Sequence, residues 1–139
     1  MRAILLSCIA ILAAASSVLA DAKTYSGRTI IYYDRSHGTQ VEYYSPKGRA
    51  YLWYPGNRRA VPGLWQVQGK NICFQYGPNT YNPVTRSRGG KWECKPMAPH
   101  KKWMTGSCRG DVFKLATGRI PYRLIRGRAA LNAVSARCR

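Results

Sequence analysis

The stretch Gly63 to Tyr76, Gly-Leu-Trp-Gln-Val-Gln-Gly-Lys-Asn-Ile-Cys-Phe-Gln-Tyr, leaves a chain little choice but to turn back on itself. Two runs rich in aromatic and β-branched residues flank Gly69-Lys70, the composition of a two-residue hairpin turn with glycine at the first central position. Alternation puts Trp65 and Val67 on one face of the first run. On the second, Ile72, Phe74 and Tyr76 face one way, and Cys73 and Gln75 the other. Trp65 is expected to anchor a core behind Gly63, and Cys73 to staple the hairpin to a later strand.

The same period-2 pattern recurs on both sides. Arg28 to Tyr33, Thr39 to Tyr44 and Arg49 to Tyr54 read as strands, separated by Asp34-Arg-Ser-His-Gly38 and by Ser45-Pro46-Lys47-Gly48. Lys91 to Lys95, Gly110 to Leu115 and Pro121 to Ile125 read as further strands. Residues 77–90 and 96–109 show no usable periodicity and read as loops, and Asp21 to Ser26 as a polar lead-in. Alanine spacing after Gly127 allows a short C-terminal helix. About eight short strands with almost no helical signal predict an all-β antiparallel meander. A small up-and-down β-barrel is the favoured closure because it removes sheet edges, with a two-sheet sandwich as the alternative.

Residues 1–20 have the pattern of a signal peptide: Arg2, an apolar run from Ala3 to Leu12, then Val18-Leu19-Ala20 before a cut near Ala20-Asp21. The remainder, 21–139, reads as a single secreted or periplasmic β-domain, and no apolar run in it is long enough to span a bilayer. Of the five cysteines Cys8 lies in the leader, which leaves Cys73, Cys94, Cys108 and Cys138. An even set in an exported chain reads as two disulfides, for which three pairings exist. Cys73–Cys94 and Cys108–Cys138 are favoured because each closes a short loop. A zinc site is set aside, since there is no Cys-x-x-Cys pair and the two histidines lack ligand spacing. No cofactor is implied.

Several motifs taken together resemble an uncharacterised family of small secreted proteobacterial proteins, a domain of unknown function. They are Gly63-x-Trp65 with Ile72-Cys73-Phe74, Trp92-Glu93-Cys94, Gly110-Asp111-Val112-Phe113-x-Leu115 and Pro121-Tyr122-x-Leu124. The likeness covers roughly residues 25–127. It implies an exported, compact, β-rich domain, and it brings no activity.

Charge is the strongest anomaly. The chain carries 23 Lys and Arg against 5 Asp and Glu, a formal net charge of +18, and no acidic residue follows Asp111. Such a field attracts polyanions, so the expected partner is an anionic polymer or an anionic lipid surface. Two basic-aromatic clusters are the candidate binding residues: Arg58 and Arg59 beside Tyr51, Trp53 and Tyr54, and His100, Lys101, Lys102 and Trp103. The second lies outside any strand pattern and is expected to be exposed, with rings free to stack on bases or sugars.

An enzyme is the less favoured reading, and no catalytic residue is assigned. Asp34, Ser36 and His37 are neighbours on one turn and cannot form a relay between nucleophile, base and orienter. Paired carboxylates could come only from positions distant in sequence, such as Glu42 and Glu93. Asp111 reads as a structural acceptor of turn hydrogen bonds. A barrel that carries a small apolar ligand is the alternative function.

Overall fold

A computed structural model of the protein describes residues 21–138; the leader expected over residues 1–20 lies outside the described residues. Among the described residues nine strands form: β1 Arg28–Asp34, β2 Gly38–Tyr44, β3 Arg49–Trp53, β4 Val61–Gln68, β5 Asn71–Tyr76, β6 Tyr81–Asn82, β7 Ser87–Arg88, β8 Glu93–Pro96 and β9 Met104–Arg109. All pairings are antiparallel. The main sheet runs β8-β5-β4-β3-β2-β1-β9, and β6-β7 is a separate two-stranded ribbon.

The all-β meander is present, and its sheet curls into a half-barrel with β8 and β9 as its edges. One short connection accounts for the curl. Helix α1, Met97–Lys102, and Trp103 are all that link β8 to β9, although the two lie at opposite ends of a seven-stranded sheet. Laid flat, six inter-strand steps would span about 29 Å, whereas a helix this short rises only about 9 Å. The edges must therefore approach each other, and α1 spans the gap between them.

The hairpin at Gly69-Lys70 follows the expected register, with Gly63 opposite Tyr76, Trp65 opposite Phe74 and Val67 opposite Ile72. Gly69 has φ +56° and Lys70 is not left-handed, the type II′ pattern. The sheet buries both faces. Inside the curl Ile30, Tyr44, Trp65, Ile72 and Phe74 pack with Tyr25 and Met97. Tyr25 ends a helical turn over residues 21–25 and is fully buried, so the expected polar lead-in is part of the core. On the outer face Ile31, Val41 and Trp53 are covered by Phe113, Leu115, Leu124 and helix α2, Ala129–Ser135.

Two expected strands are absent. Residues 110–125 wind over the outer face because the Asp111 carboxylate accepts the backbone N–H groups of Leu115 (2.7 Å) and Ala116 (2.8 Å), closing a 3₁₀ turn over Leu115–Thr117. Lys114, at φ 57°, takes the chain out of extended geometry. Residues 96–109, read from sequence as a loop, instead form the end of β8, α1 and β9. Strand β9 has little strand propensity of its own and is held by pairing to β1.

Both favoured disulfides form, and each fixes one edge of the sheet. Cys73 and Cys94 face each other across β5 and β8 with Cα atoms 4.0 Å apart. Cys108 on β9 joins Cys138, just beyond α2, at 5.5 Å. Such bonds indicate a non-reducing compartment. Among the described residues no helix is long and apolar enough to cross a membrane.

Gly63 is fixed by packing. A Cβ there would sit 2.7 Å from Cδ1 of Tyr76 and 3.0 Å from the Gln75 carbonyl oxygen. Gly63→Ala is therefore expected to cost about 1–3 kcal/mol, read from urea unfolding, as overpacking of a filled site does. An unchanged midpoint would mean that the Tyr76 ring is not held against the strand.

Candidate functional site

The half-barrel encloses a cavity of about 600 Å³. Tyr32, Glu42, Leu52, Val61, Phe74 and Tyr76 line it from the five central strands, all at inward-facing register positions. Glu93 and Lys95 border it from β8, and the Tyr54–Asn57 turn, residues 79–83, His100 and Trp103 add further wall, with Asp34, His37 and Lys91 also bordering it. Aromatic rings with a few convergent polar groups are the usual composition of a small-molecule site.

Glu42 is 4% exposed yet borders this cavity. Tyr76 donates its hydroxyl to Oε1 at 2.6 Å and Tyr44 donates to Oε2 at 2.8 Å. Tyr44 has thereby spent its proton, so Tyr32, with its Oη 2.7 Å away, donates to Tyr44. Burial pushes the Glu42 carboxyl up to about 7, and the two hydroxyls and the positive charge of Lys95 limit the rise. The three tyrosines are raised well above their ordinary range, first by burial and then by the nearby Glu42 charge. Tyr54 also lines the cavity, and its buried hydroxyl has no hydrogen-bond partner.

His100 is the main departure from expectation. It is buried rather than exposed, because α1 turns it inward between Tyr32 and Phe74, with ring centroids 4.8 Å and 5.7 Å away. Its Nδ1 lies 3.3 Å from the Tyr25 hydroxyl. Burial, assisted by the charge of Lys95, pushes its pKa down to about 4. Lys101 pairs with Asp21 at 2.6 Å, while Lys102 and Trp103 are exposed. Arg58 and Arg59 are exposed, and Trp53 beside them is fully buried with Nε1 donating to the Tyr122 carbonyl at 2.9 Å.

Only the aromatic parts of the two sequence clusters converge: Tyr54 of the first and His100 and Trp103 of the second border the same cavity, whereas Arg58, Arg59, Lys101 and Lys102 do not line it. Glu42 and Glu93, distant in sequence, also meet there. The Asp34 carboxylate accepts the N–H groups of Ser36 (2.8 Å) and His37 (2.9 Å) and pairs with His37 Nδ1 at 3.0 Å, closing its own turn. Trp65 sits in the core with Nε1 donating to the Ser45 carbonyl, and Asp111 is the acceptor described above. The tyrosine network was not foreseen; its trace in the sequence is the carboxylate of Glu42 at an inward position two residues from Tyr44. Among the described residues, no group of three or more His, Cys, Asp or Glu is placed to hold a metal ion.

No protein-family model matches this chain, and no curated protein or solved structure is significantly similar to it.

The two buried titrating groups oppose each other. Glu42 keeps in the folded state a proton that the unfolded chain releases, so its contribution is full below about pH 4.5 and is lost as pH climbs to about 7, a change on the order of 3 kcal/mol. His100 refuses a proton that the unfolded chain takes, so its contribution is full above about pH 6.5 and is lost as pH falls to about 4. In the wild type the two nearly cancel between about pH 4.5 and about 6.5. Glu42→Gln is expected to gain stability with rising pH across that window and His100→Gln to lose it, measured by urea unfolding at stepped pH. Two variants with the flat wild-type profile would refute the assignment.

Proposed function

We propose that this protein is an exported binding protein that holds a small molecule inside its half-barrel. The supporting observation is the cavity itself: about 600 Å³, walled by aromatic rings and approached by a few polar side chains. The leader pattern and two disulfides favour an oxidising setting, periplasmic or secreted. The mixed wall favours a ligand with an aromatic or apolar body and at least one polar group, rather than a wholly apolar one.

Protein recovered from its own compartment is expected to carry a bound small molecule, read as excess mass under native ionisation. Leu52→Trp, which places a larger ring into the open space, is expected to lose that mass while keeping a melting temperature close to that of the wild type. A wild-type protein that is empty when isolated and binds nothing from a diverse panel of small aromatic compounds would overturn this reading.

A second reading concerns the exterior. Arg58, Arg59, Lys102 and Trp103 stay exposed in a strongly cationic chain, which supports weak docking onto an anionic polymer or lipid surface. Arg58→Gln combined with Lys102→Gln is expected to lower the salt concentration for elution from heparin. Lys101→Gln should shift it less, since Asp21 already pairs that charge. Elution unchanged in the double variant would remove the polymer reading.

A further inference from the structure

We propose that the cavity selects small amines, with Glu42 as counter-ion to a protonated or quaternary nitrogen carried on an aromatic or apolar body. This rests on the small-ligand reading and adds the chemical class of the ligand.

The first reason is that the buried carboxyl has no cation of its own. The ion pairs among the described residues are Lys101–Asp21 and His37–Asp34, and neither involves Glu42. Its partners are two neutral hydroxyls, each occupying one lone pair of one oxygen and leaving acceptor capacity on both. A buried carboxylate is costly until a cation joins it, so an entering ammonium gains a charge-assisted contact that the empty protein lacks.

The walls supply the second reason. Tyr32, Phe74, Tyr76 and Trp103 border the same space, and their ring faces attract cations. A carboxylate next to aromatic faces is the chemistry that recognises an ammonium head.

Charge distribution is the third. Of the five acidic residues in a chain with 23 Lys and Arg, Asp34, Glu42 and Glu93 line this cavity. An anionic ligand would find its strongest attraction elsewhere on the molecule. The cations bordering the cavity are Lys91 and Lys95, both near β8. Lys95 favours ionisation of Glu42 without forming an ion pair with it, which keeps the carboxylate available. Around Glu42 the other titratable groups are Tyr44 on its own strand, Tyr32 of β1, Tyr76 of β5, Glu93 of β8 and His100 of α1; farther along the wall lie Asp34 and His37.

Three probes of similar body separate the possibilities: tryptamine, indole and indole-3-acetate, titrated by calorimetry into the full-length exported protein. Tryptamine is expected to bind at least tenfold more tightly than the other two. Glu42→Gln is expected to erase that preference and leave indole unchanged. The wild type reads the same carboxylate without a substitution. Its affinity for tryptamine should fall about 30-fold from about pH 8 to about pH 5.5 if only ionised Glu42 accepts the amine. His37→Asn should keep that slope.

Indole binding as tightly as tryptamine, or indole-3-acetate binding more tightly, would overturn the amine inference while leaving a small-ligand cavity. Binding of none of the three would also overturn it, and the small-ligand reading falls only if the isolated protein is empty as well. A preference for tryptamine that survives Glu42→Gln and is flat in pH would place the counter-ion elsewhere and reject the role given to Glu42.

Discussion

The short link from β8 to β9 shapes everything else in this molecule. Seven residues, 97–103, most of them helical, join the two edges of a seven-stranded sheet, a distance that so short a helix could not cover if the sheet were flat. The sheet is bent until helix α1 can reach, and the same bend creates an inside. Each edge is then fixed by a disulfide, Cys73–Cys94 at β8 and Cys108–Cys138 at β9. Since edge strands are where a sheet frays or pairs with a neighbour, these positions are where a crosslink restrains the most.

Closing the gap with a helix rather than an eighth strand has a chemical consequence. A strand would have added alternating side chains and a completed ladder; α1 instead inserts one imidazole, His100, between Tyr32 and Phe74. That ring sits in the same interior as Glu42, and burial drives both toward neutrality, the acid upward and the base downward. Between their two shifted values neither carries a charge, so the interior tolerates two ionisable groups without pairing them. Tyr44 and Tyr76 orient the carboxylate, Tyr32 donates to Tyr44 in turn, and Gly63 leaves room for the Tyr76 ring that reaches it.

Much of the scaffold was legible in the residues because local chemistry and tertiary pairing agree there. The hairpin at Gly69-Lys70, the alternation in β1 to β3 and both disulfides follow from turn preference, period and short loop closure. Where the two disagree, the sequence misled. Gly110 to Leu115 alternates like a strand, but the Asp111 carboxylate takes two backbone donors and winds it. Met104 to Arg109 carries a weak strand signal and is a strand only because β1 lies beside it. Of the site, the sequence marks Tyr54, beside Arg58 and Arg59, and His100 and Trp103, beside Lys101 and Lys102, as members of basic-aromatic clusters. That they face one cavity is set by the curl of the sheet, which no local pattern records. His100 shows the limit most plainly: flanked by Pro99 and Lys101 it reads as surface, and only the orientation of α1 buries it.

The two functional readings draw on one asymmetry. The exterior is strongly cationic, while the acids that the chain does possess are concentrated around the cavity. At physiological ionic strength charges separated by more than about 8 Å are largely screened from one another through solvent. Arg119, Arg123, Arg128 and Arg137 belong to a segment packed on the outer face of the sheet, whereas Arg126 acts on the Tyr54 hydroxyl at the cavity wall. The potential that a small molecule meets inside is therefore set chiefly by Glu42, Glu93, Asp34 and the two lysines near β8, with Arg126 acting at the Tyr54 wall. A large anion approaching from outside responds to the rest. A single basic surface and an acid-lined interior can coexist on so small a domain because the half-barrel separates them by its own thickness, which makes the curl of the sheet an electrostatic partition as well as a container.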